Sequence, residues 1–140
     1  MHDPTEGGVA GGAHEMADAA GLGLRVLRKK IRVEPETEEI CGHFNLDPLQ
    51  LIGSGALLVA AEPEKTEKII ANLKKKQVQA AVIGEFLADK KERVLISDFG
   101  GVQALPRPES DHLWRALERH QVRVATHARP EKQFAMPSKT

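Results

Sequence analysis

The sequence predicts an α+β fold, in which a mixed β-sheet carries helices packed against it. Apolar residues recur at helical spacing in some segments and alternate with polar residues in others, approximately in the order αβαβαβββα. A hairpin-like turn at Asp98–Gly101 joins two of the strand-like segments, which adds an antiparallel pair. Helices interspersed with strands in one short chain favour a sheet with helices layered against it.

Composition limits the classes of protein to which this chain can belong. Its 140 residues suffice for one domain with a sizeable core. Lys plus Arg and Asp plus Glu number 20 each, so the formal net charge is zero, which argues against a nucleic-acid binder. The single cysteine, Cys41, excludes an intrachain disulfide and any multi-cysteine metal site. With no membrane-spanning run and no signal-peptide pattern, the sequence predicts a cytoplasmic protein that makes no membrane contact.

The first residues predict the start of a helix. Asp3 is a suitable N-cap, Pro4 suits the first helical position, and Glu6 lies three residues after Asp3, as in a capping box. The helix is expected from Glu6 to Ala20, with Gly21 as its C-terminal stop. The predicted apolar stripe consists of Val9, Ala13, Met16 and Ala20.

Four glycines remove side chains from the first two turns of this helix, namely Gly7, Gly8, Gly11 and Gly12. Backbone N–H groups at a helix start attract anions. Two interpretations stay open. Asp3 and Glu6 only cap the helix and complement its dipole, or the helix start, with His2 beside it, faces a ligand.

The middle of the chain alternates between strand and helix patterns. A strand is predicted over Leu22–Leu27, followed by a solvated basic turn at Arg28–Lys30. A short helix is expected to begin at Pro35, and it should turn Ile40, Cys41 and Phe44 inward. The apolar run over residues 56–61 predicts a buried central strand.

The remaining elements complete a predicted domain over residues 1–126, followed by a flexible tail over residues 127–140. A helix over Pro63–Lys76 is expected to bury Ile69, Ile70 and Leu73. The predicted strands are Ala80–Phe86, Arg93–Ser97, Val102–Leu105 and a short one at Val122–Thr126. Ser110 is expected to cap a last helix over Asp111–His120.

The sequence contains no motif of nucleophilic catalysis, metal binding or self-contained phosphate binding. It lacks the Gly-x-Ser-x-Gly elbow, the His-Glu-x-x-His pair and the Walker lysine, so no catalytic residue and no metal ligand is predicted. Cys41 is interpreted as a small buried hydrophobe. The Gly53-Ser54-Gly55 triplet is either a bend before a strand or a backbone surface that faces a ligand across from Thr5.

Four motifs in this order resemble the C-terminal domain of AIR synthase-related proteins. They are Met1–Gly8, Leu46-Asp47-Pro48-Leu49, Ser54–Leu58 and Ile83-Gly84-Glu85, and the resemblance covers about residues 1–105. That group includes aminoimidazole ribonucleotide synthetase (PurM) and the hydrogenase maturation protein HypE, and this chain looks most like the prokaryotic HypE-like members.

The resemblance implies α/β/α layers with a partial ferredoxin-like topology, as in the C-terminal domain of PurM. It also implies a separate N-terminal domain that supplies most of the ATP and magnesium site and shares a cleft with this domain. Alone, the chain would then bind no cofactor and catalyse nothing. The residues expected to face substrate or phosphate are His2, Asp3, Thr5, Gly7 and Gly8, with Ser54 and Gly55 as secondary positions.

The expected partner is the N-terminal ATP-binding domain, and a homodimer is left open. HypE-type proteins end in a cysteine that carries the group being dehydrated. Here Pro106-Arg107 resembles the Pro-Arg before that cysteine, but Pro108 follows. Two alternatives to an enzyme half stay open, a non-catalytic ligand-binding module and an oligomerisation domain.

Overall fold

The computed structural model describes residues 1–109, 112–114 and 116–118. Its helices are α1 (Gly8–Ala20), α2 (Pro35–Phe44) and α3 (Pro63–Lys75), and its strands are β1 (Gly23–Leu27), β2 (Gly84–Leu87), β3 (Arg93–Ile96) and β4 (Val102–Ala104). Short 3-10 turns lie at Arg28–Lys30 and Pro48–Gln50. Residues 112–114 and 116–118, within the predicted last helix, are helical. The rest of that helix, the strand Val122–Thr126 and the tail lie outside the described residues.

The four strands form one mixed sheet in the order β2-β1-β3-β4. Strand β1 runs parallel to β3 and antiparallel to β2, and β4 runs antiparallel to β3. The register places Val26 beside Leu95 on one face of the sheet, and Arg25 beside Val94 on the other. The α+β class and the mixed sheet are therefore confirmed.

Helix α1 packs against the face of the sheet that carries Val26 and Leu95. Apart from His14, its buried residues are glycines and alanines, and the alanines meet leucines and a valine from the sheet and from the Pro48–Gln50 turn. The core consists of Ala10, Ala13, Ala17, Leu24, Val26, Leu49, Leu95 and Leu105. Because alanine adds little bulk to a helix, α1 lies close to the sheet. Among the described residues, no helix combines the length and apolar character needed to cross a bilayer.

The start of α1 differs from the prediction. The helix begins at Gly8, and its N-cap is Gly7, with φ 73° and no side-chain capping bond, instead of Asp3. Pro4 is buried, and its carbonyl accepts a hydrogen bond from the Gly53 N–H at 3.0 Å, so this residue is held by a tertiary contact before the helix begins. The predicted capping box at Asp3 and Glu6 is therefore wrong.

The buried stripe of α1 also differs from the predicted one. Val9 and Met16 are only half-buried and Ala20 is exposed, whereas Ala10, His14 and Ala17 are buried beside Ala13. The stripe is shifted because the small side chains, not the largest apolar ones, permit the close approach of α1 to the sheet.

Residues 56–61 do not form the predicted buried strand. Among the residues that the structure describes, their one ladder contact is an isolated bridge between His2 and Leu58, and Leu57 is 59% exposed. The predicted strand at Ala80–Phe86 likewise starts only at Gly84 and runs to Leu87. In both places the segment is apolar, but none of the described residues packs over it to bury it.

The two remaining helices bury less than predicted. In α2 only Cys41 is buried, whereas Ile40 and Phe44 are exposed, contrary to prediction. Helix α3 contains no buried residue, and its predicted core stripe is only half-buried, at Ile69, Ile70 and Leu73. Both helices start at proline as expected.

Candidate functional site

The first residues and the Gly53–Leu58 segment lie side by side, although they are some fifty positions apart in the chain. The N–H of His2 donates to the Leu58 carbonyl at 2.8 Å, and the Leu58 N–H donates to the His2 carbonyl at 2.8 Å. The Gly53 N–H donates to Pro4 at 3.0 Å. The structure therefore brings together the two groups of residues that the sequence singled out separately.

The Gly53-Ser54-Gly55 triplet forms a tight turn at the surface. The Ala56 N–H donates to the Gly53 carbonyl at 3.0 Å, and Gly55 adopts φ +88°, as the third residue of a type II turn requires. Ser54 and Gly55 are exposed, and open space surrounds the position where Gly55 would carry a Cβ. The triplet is thus a bend, although the described residues form no strand after it, and its contact with a ligand stays a prediction.

The glycines at the start of α1 serve close contacts within the chain. A Cβ on Gly8, which has φ +60°, would lie 2.3 Å from the Leu51 carbonyl oxygen. A Cβ on Gly7 would lie 3.3 Å from the ring of Pro108. Both glycines are buried, whereas Asp3 and Thr5 are exposed in front of them. The exposed side chains at this helix start are those of Asp3, Thr5 and Glu6.

The electrostatic character of this region is acidic. The His2 Nε2 atom lies 2.7 Å from a carboxylate oxygen of Glu15, and Asp3 and Glu6 are exposed nearby in the sequence. No Lys or Arg occurs in residues 1–24 or in residues 33–64, which include the Gly53–Leu58 segment. The described residues also contain no group of three or more His, Cys, Asp or Glu that would hold a metal ion.

The segment that follows β4, residues 105–109, crosses α1. His14, which is 4% exposed, donates from Nε2 to the Leu105 carbonyl at 3.2 Å. The Arg107 guanidinium lies 2.6 Å from Asp18, and Pro108 contacts Gly7 and Gly11. This part of the chain beyond β4 therefore packs on α1.

Sequence reasoning missed His14 and the ion pair between Asp18 and Arg107. Burial lowers the pKa of His14, with further lowering by the positive charges of Arg107 and Arg93. Its Nδ1 atom is buried and has no hydrogen-bond partner within the described part of the chain. Helical spacing could have predicted the burial of His14, because it lies four residues after Ala10 and three before Ala17, and both alanines are buried.

Two further features lie away from this region. Cys41 is buried, and burial raises the pKa of its thiol, which fits its interpretation as a core residue. A groove of about 320 Å³ opens where the parallel strands β1 and β3 end. It is lined by Arg28, Asp47, Leu49, Leu95, Ser97, Asp98, Phe99 and Gln103.

Comparisons with known proteins agree with the resemblance. The family model described as "AIR synthase related protein, C-terminal domain" matches residues 1–97. A relative named carbamoyl dehydratase HypE, from Rhizobium leguminosarum bv. viciae, is 33% identical over 104 residues, which is 72% of this chain and 30% of the relative.

Solved structures of HypE proteins share the fold. The crystal structure of E. coli HypE superposes with a TM-score of 0.70 at 30% identity, covering 81% of this chain and 36% of that one. A structure of the hydrogenase maturation protein HypE in complex with ATP gives a TM-score of 0.67 at 27% identity, covering 78% and 35% of the two chains.

This chain spans only about a third of the length of these relatives. The family match nevertheless covers more than half of the chain, and it includes α1, β1, β2 and β3 in full. The chain therefore belongs to the AIR synthase-related proteins, as a HypE-like C-terminal domain.

Proposed function

We propose that this domain is one half of an ATP-dependent, HypE-like enzyme. In this proposal it contributes the surface in front of α1 to a cleft that a separate N-terminal ATP-binding domain completes, and it is inactive alone. The relatives support the reaction class, because one is named carbamoyl dehydratase and another was crystallised with ATP.

The observation that carries the proposal is the pairing of the first residues with the Gly53–Leu58 segment. Three backbone hydrogen bonds of 2.8–3.0 Å hold these segments together. Asp3 and Thr5, which flank Pro4, and Ser54 and Gly55, which follow Gly53, are all exposed. Carboxylate, hydroxyl and open backbone groups on a stable frame suit the orientation of a polar substrate.

The same surface is unsuited to holding ATP by itself. Phosphate binding favours Lys or Arg, and neither type occurs in the segments that build this surface. Magnesium is bound through one or two carboxylates together with phosphate oxygens, and the described residues offer no cluster that would hold it alone. The cations that neutralise the nucleotide would therefore come from the N-terminal domain, with Asp3 and Thr5 at the edge of the cleft.

A direct test compares the isolated chain with a chimera. In the chimera, this chain replaces the matched third of E. coli HypE, and both proteins are titrated with ATP and magnesium by calorimetry. We expect no binding by the isolated chain, and both binding and ATP hydrolysis by the chimera. Tight binding by the isolated chain would instead identify a self-sufficient ligand-binding module.

Variants of the exposed residues test the assigned surface. Asp3→Asn and Thr5→Val should each lower kcat/KM for ATP hydrolysis by the chimera by about tenfold, because each variant loses one polar contact. Thr66→Val on α3 removes an exposed hydroxyl that donates to the backbone carbonyl of Glu62, and it serves as the matched control. If all three variants turn over equally well, Asp3 and Thr5 do not face the substrate.

A further inference from the structure

The ring of His2 lies directly against helix α1, over Gly12. A Cβ on Gly12 would lie 2.9 Å from the His2 Cδ2 atom and 3.1 Å from the Leu58 Cδ1 atom. Close-packed atoms do not approach each other at such distances, so a side chain here would displace both residues. Gly12 therefore allows the first residues of the chain and Leu58 to pack onto the backbone of the helix.

Three residues further along α1, Glu15 binds the same ring. Its Oε2 atom lies 2.7 Å from Nε2 of His2, and residues three apart share one face of a helix. Because a carboxylate only accepts hydrogen bonds, the Nε2 atom carries a proton and donates. A hydrogen bond to a carboxylate is stronger than one between neutral groups. The imidazole is thus held on two sides, by the helix backbone at Gly12 and by the Glu15 carboxylate.

The turn that carries Asp3 and Thr5 follows this ring immediately. The Thr5 N–H donates to the Asp3 carbonyl at 2.9 Å, which closes a three-residue γ-turn around Pro4. At the far end of the turn, the Thr5 carbonyl accepts a hydrogen bond from the Gly8 N–H at 3.2 Å. A turn this short moves together with the residues at its two ends. The position of His2 on α1 therefore determines where Asp3 and Thr5 lie.

We propose that Glu15 is a positioning residue, which acts through His2 to hold the Asp3–Thr5 turn in place on α1. This role rests on the proposed function, because that function assigns Asp3 and Thr5 to the substrate. Polar groups that orient a substrate need supporting hydrogen bonds that fix them from behind. In this role the Nε2 atom of His2 serves Glu15, and contact with the substrate belongs to the turn.

Hydrogen exchange of the isolated chain, followed by NMR, tests the structural step. The amides of Leu58 and Gly53 donate to the carbonyls of His2 and Pro4, so their exchange reports whether the first residues are in place. Glu15→Ala should accelerate both by about fivefold, the effect of losing a partly exposed ion pair. The Leu27 amide, which donates to Ile83 in the sheet, should keep its rate, because the opening is local.

Two glutamate variants complete this comparison. Glu15→Gln keeps an oxygen that accepts from Nε2, so it should retain most of the protection of the Leu58 amide. Glu39→Ala makes the same change at an exposed position within α2 and is the matched control, with no expected change in exchange at Leu58.

A glycine variant displaces the ring from the opposite side. Gly12→Ala sets a Cβ against His2 and should also accelerate exchange of the Leu58 amide. Because alanine favours a helix more than glycine does, this acceleration would not come from unfolding of α1. Gly42→Ala on α2 is the matched control, since no atom of the described residues lies within 4 Å of the added Cβ.

The chimera with the E. coli HypE N-terminal part tests the catalytic step. Glu15→Ala should lower kcat/KM for ATP hydrolysis by about fivefold, and Glu15→Gln should restore most of the loss. In a chimera that already carries Asp3→Asn and Thr5→Val, Glu15→Ala should cost nothing further, because the groups that it positions are gone. A general loss of stability would instead lower activity equally in both backgrounds.

Two outcomes would overturn the proposal. Equal exchange at Leu58 and Gly53 in Glu15→Ala and Glu39→Ala would mean that Glu15 does not hold the turn. Faster exchange with unchanged kcat/KM, while Asp3→Asn and Thr5→Val remain damaging, would mean that turnover does not depend on this support.

Failure of the proposed function gives a different pattern. If Asp3→Asn and Thr5→Val turn over like the unmodified chimera, the assigned surface is wrong, and Glu15 positions nothing for catalysis. The exchange rates are measured without ATP, so they show independently whether Glu15 holds the turn.

Discussion

The layer formed by α1 and the sheet differs sharply from the unit formed by residues 56–83. The layer contributes most of the buried hydrophobic residues, whereas in residues 56–83 no residue is buried and α3 has no extensive contact with another described element. Both regions are rich in apolar residues. They differ in whether another element packs against them, since an apolar segment is buried only where a second surface covers it.

The largest effect that would test this contrast is the loss of a core leucine. Leu95→Ala removes a β3 side chain that is 3% exposed in the core, and should lower the free energy of unfolding by about 2–5 kcal/mol. Leu57→Ala changes an exposed leucine and should lower it by less than about 0.5 kcal/mol. Urea denaturation measures both. Similar losses for the two variants would mean that residues 56–83 are as tightly packed as the core.

A smaller effect is expected at the start of α1. Gly8→Ala places a Cβ against the Leu51 carbonyl at a residue with φ +60°, and should cost about 2–3 kcal/mol. Gly55→Ala is the control, because φ is also positive there but the space is open, and about 1 kcal/mol is expected. Equal midpoints and slopes in urea for both variants would show that the contact between Gly8 and Leu51 is not tight.

The pH dependence of stability should report the contact between α1 and the 105–109 segment. The pKa of His14 is lowered in the folded state by burial, so the unfolded chain binds a proton first as pH falls. The contribution of neutral His14 to the free energy of unfolding is fully present above the ordinary histidine pKa of about 6.5. It decreases as pH falls below that value and through the pKa of the folded state. We expect the free energy of unfolding to fall less between pH 8 and pH 5.5 in His14→Gln than in the unmodified chain, as measured by urea titration at the two pH values.

The charged groups around His14 do not alter the direction of this prediction. Arg93 and Arg107 are positive throughout this range and further disfavour the imidazolium. Arg107 lowers the pKa of Asp18, so this carboxylate titrates below the range of the experiment. A wild-type protein that is more stable at pH 5.5 than at pH 8, relative to His14→Gln, would contradict the prediction.

Elements whose cause is local were predictable from the sequence. The starts of α2 and α3 at Pro35 and Pro63, and the positions of β1, β3 and β4, agree with the prediction within about one residue. In these segments, proline geometry and alternation act within the segment itself.

Elements whose cause is tertiary were not predictable in the same way. Asp3 does not cap α1, because Pro4 is bound to Gly53, a residue some fifty positions away. The Leu51 carbonyl leaves no room for a Cβ at Gly8. The motif residues His2, Pro4 and Gly53 were nevertheless found to be neighbours, although the role of Asp3 and Thr5 toward a substrate stays a prediction.

The smallest expected effect concerns the ion pair that joins the 105–109 segment to α1. The Arg107 guanidinium, hydrogen-bonded to Asp18, holds the pKa of that carboxyl below its usual range. Arg107→Ala should raise the Asp18 pKa toward its ordinary value, measured by NMR titration of the side-chain carboxyl. Some lowering should remain, because Arg93 lies 2.9 Å from the other carboxylate oxygen.

Arg25→Ala is the matched control, because this arginine pairs with Glu85 and Glu92 on the opposite face of the sheet. If Arg107→Ala leaves the Asp18 titration unchanged, residues 105–109 do not rest on α1 in solution. Pro108 would then not cover Gly7, and the start of α1 would be more open to a ligand than its packed glycines indicate. The same titration thus tests how far the well-packed layer extends beyond the sheet and toward the proposed cleft.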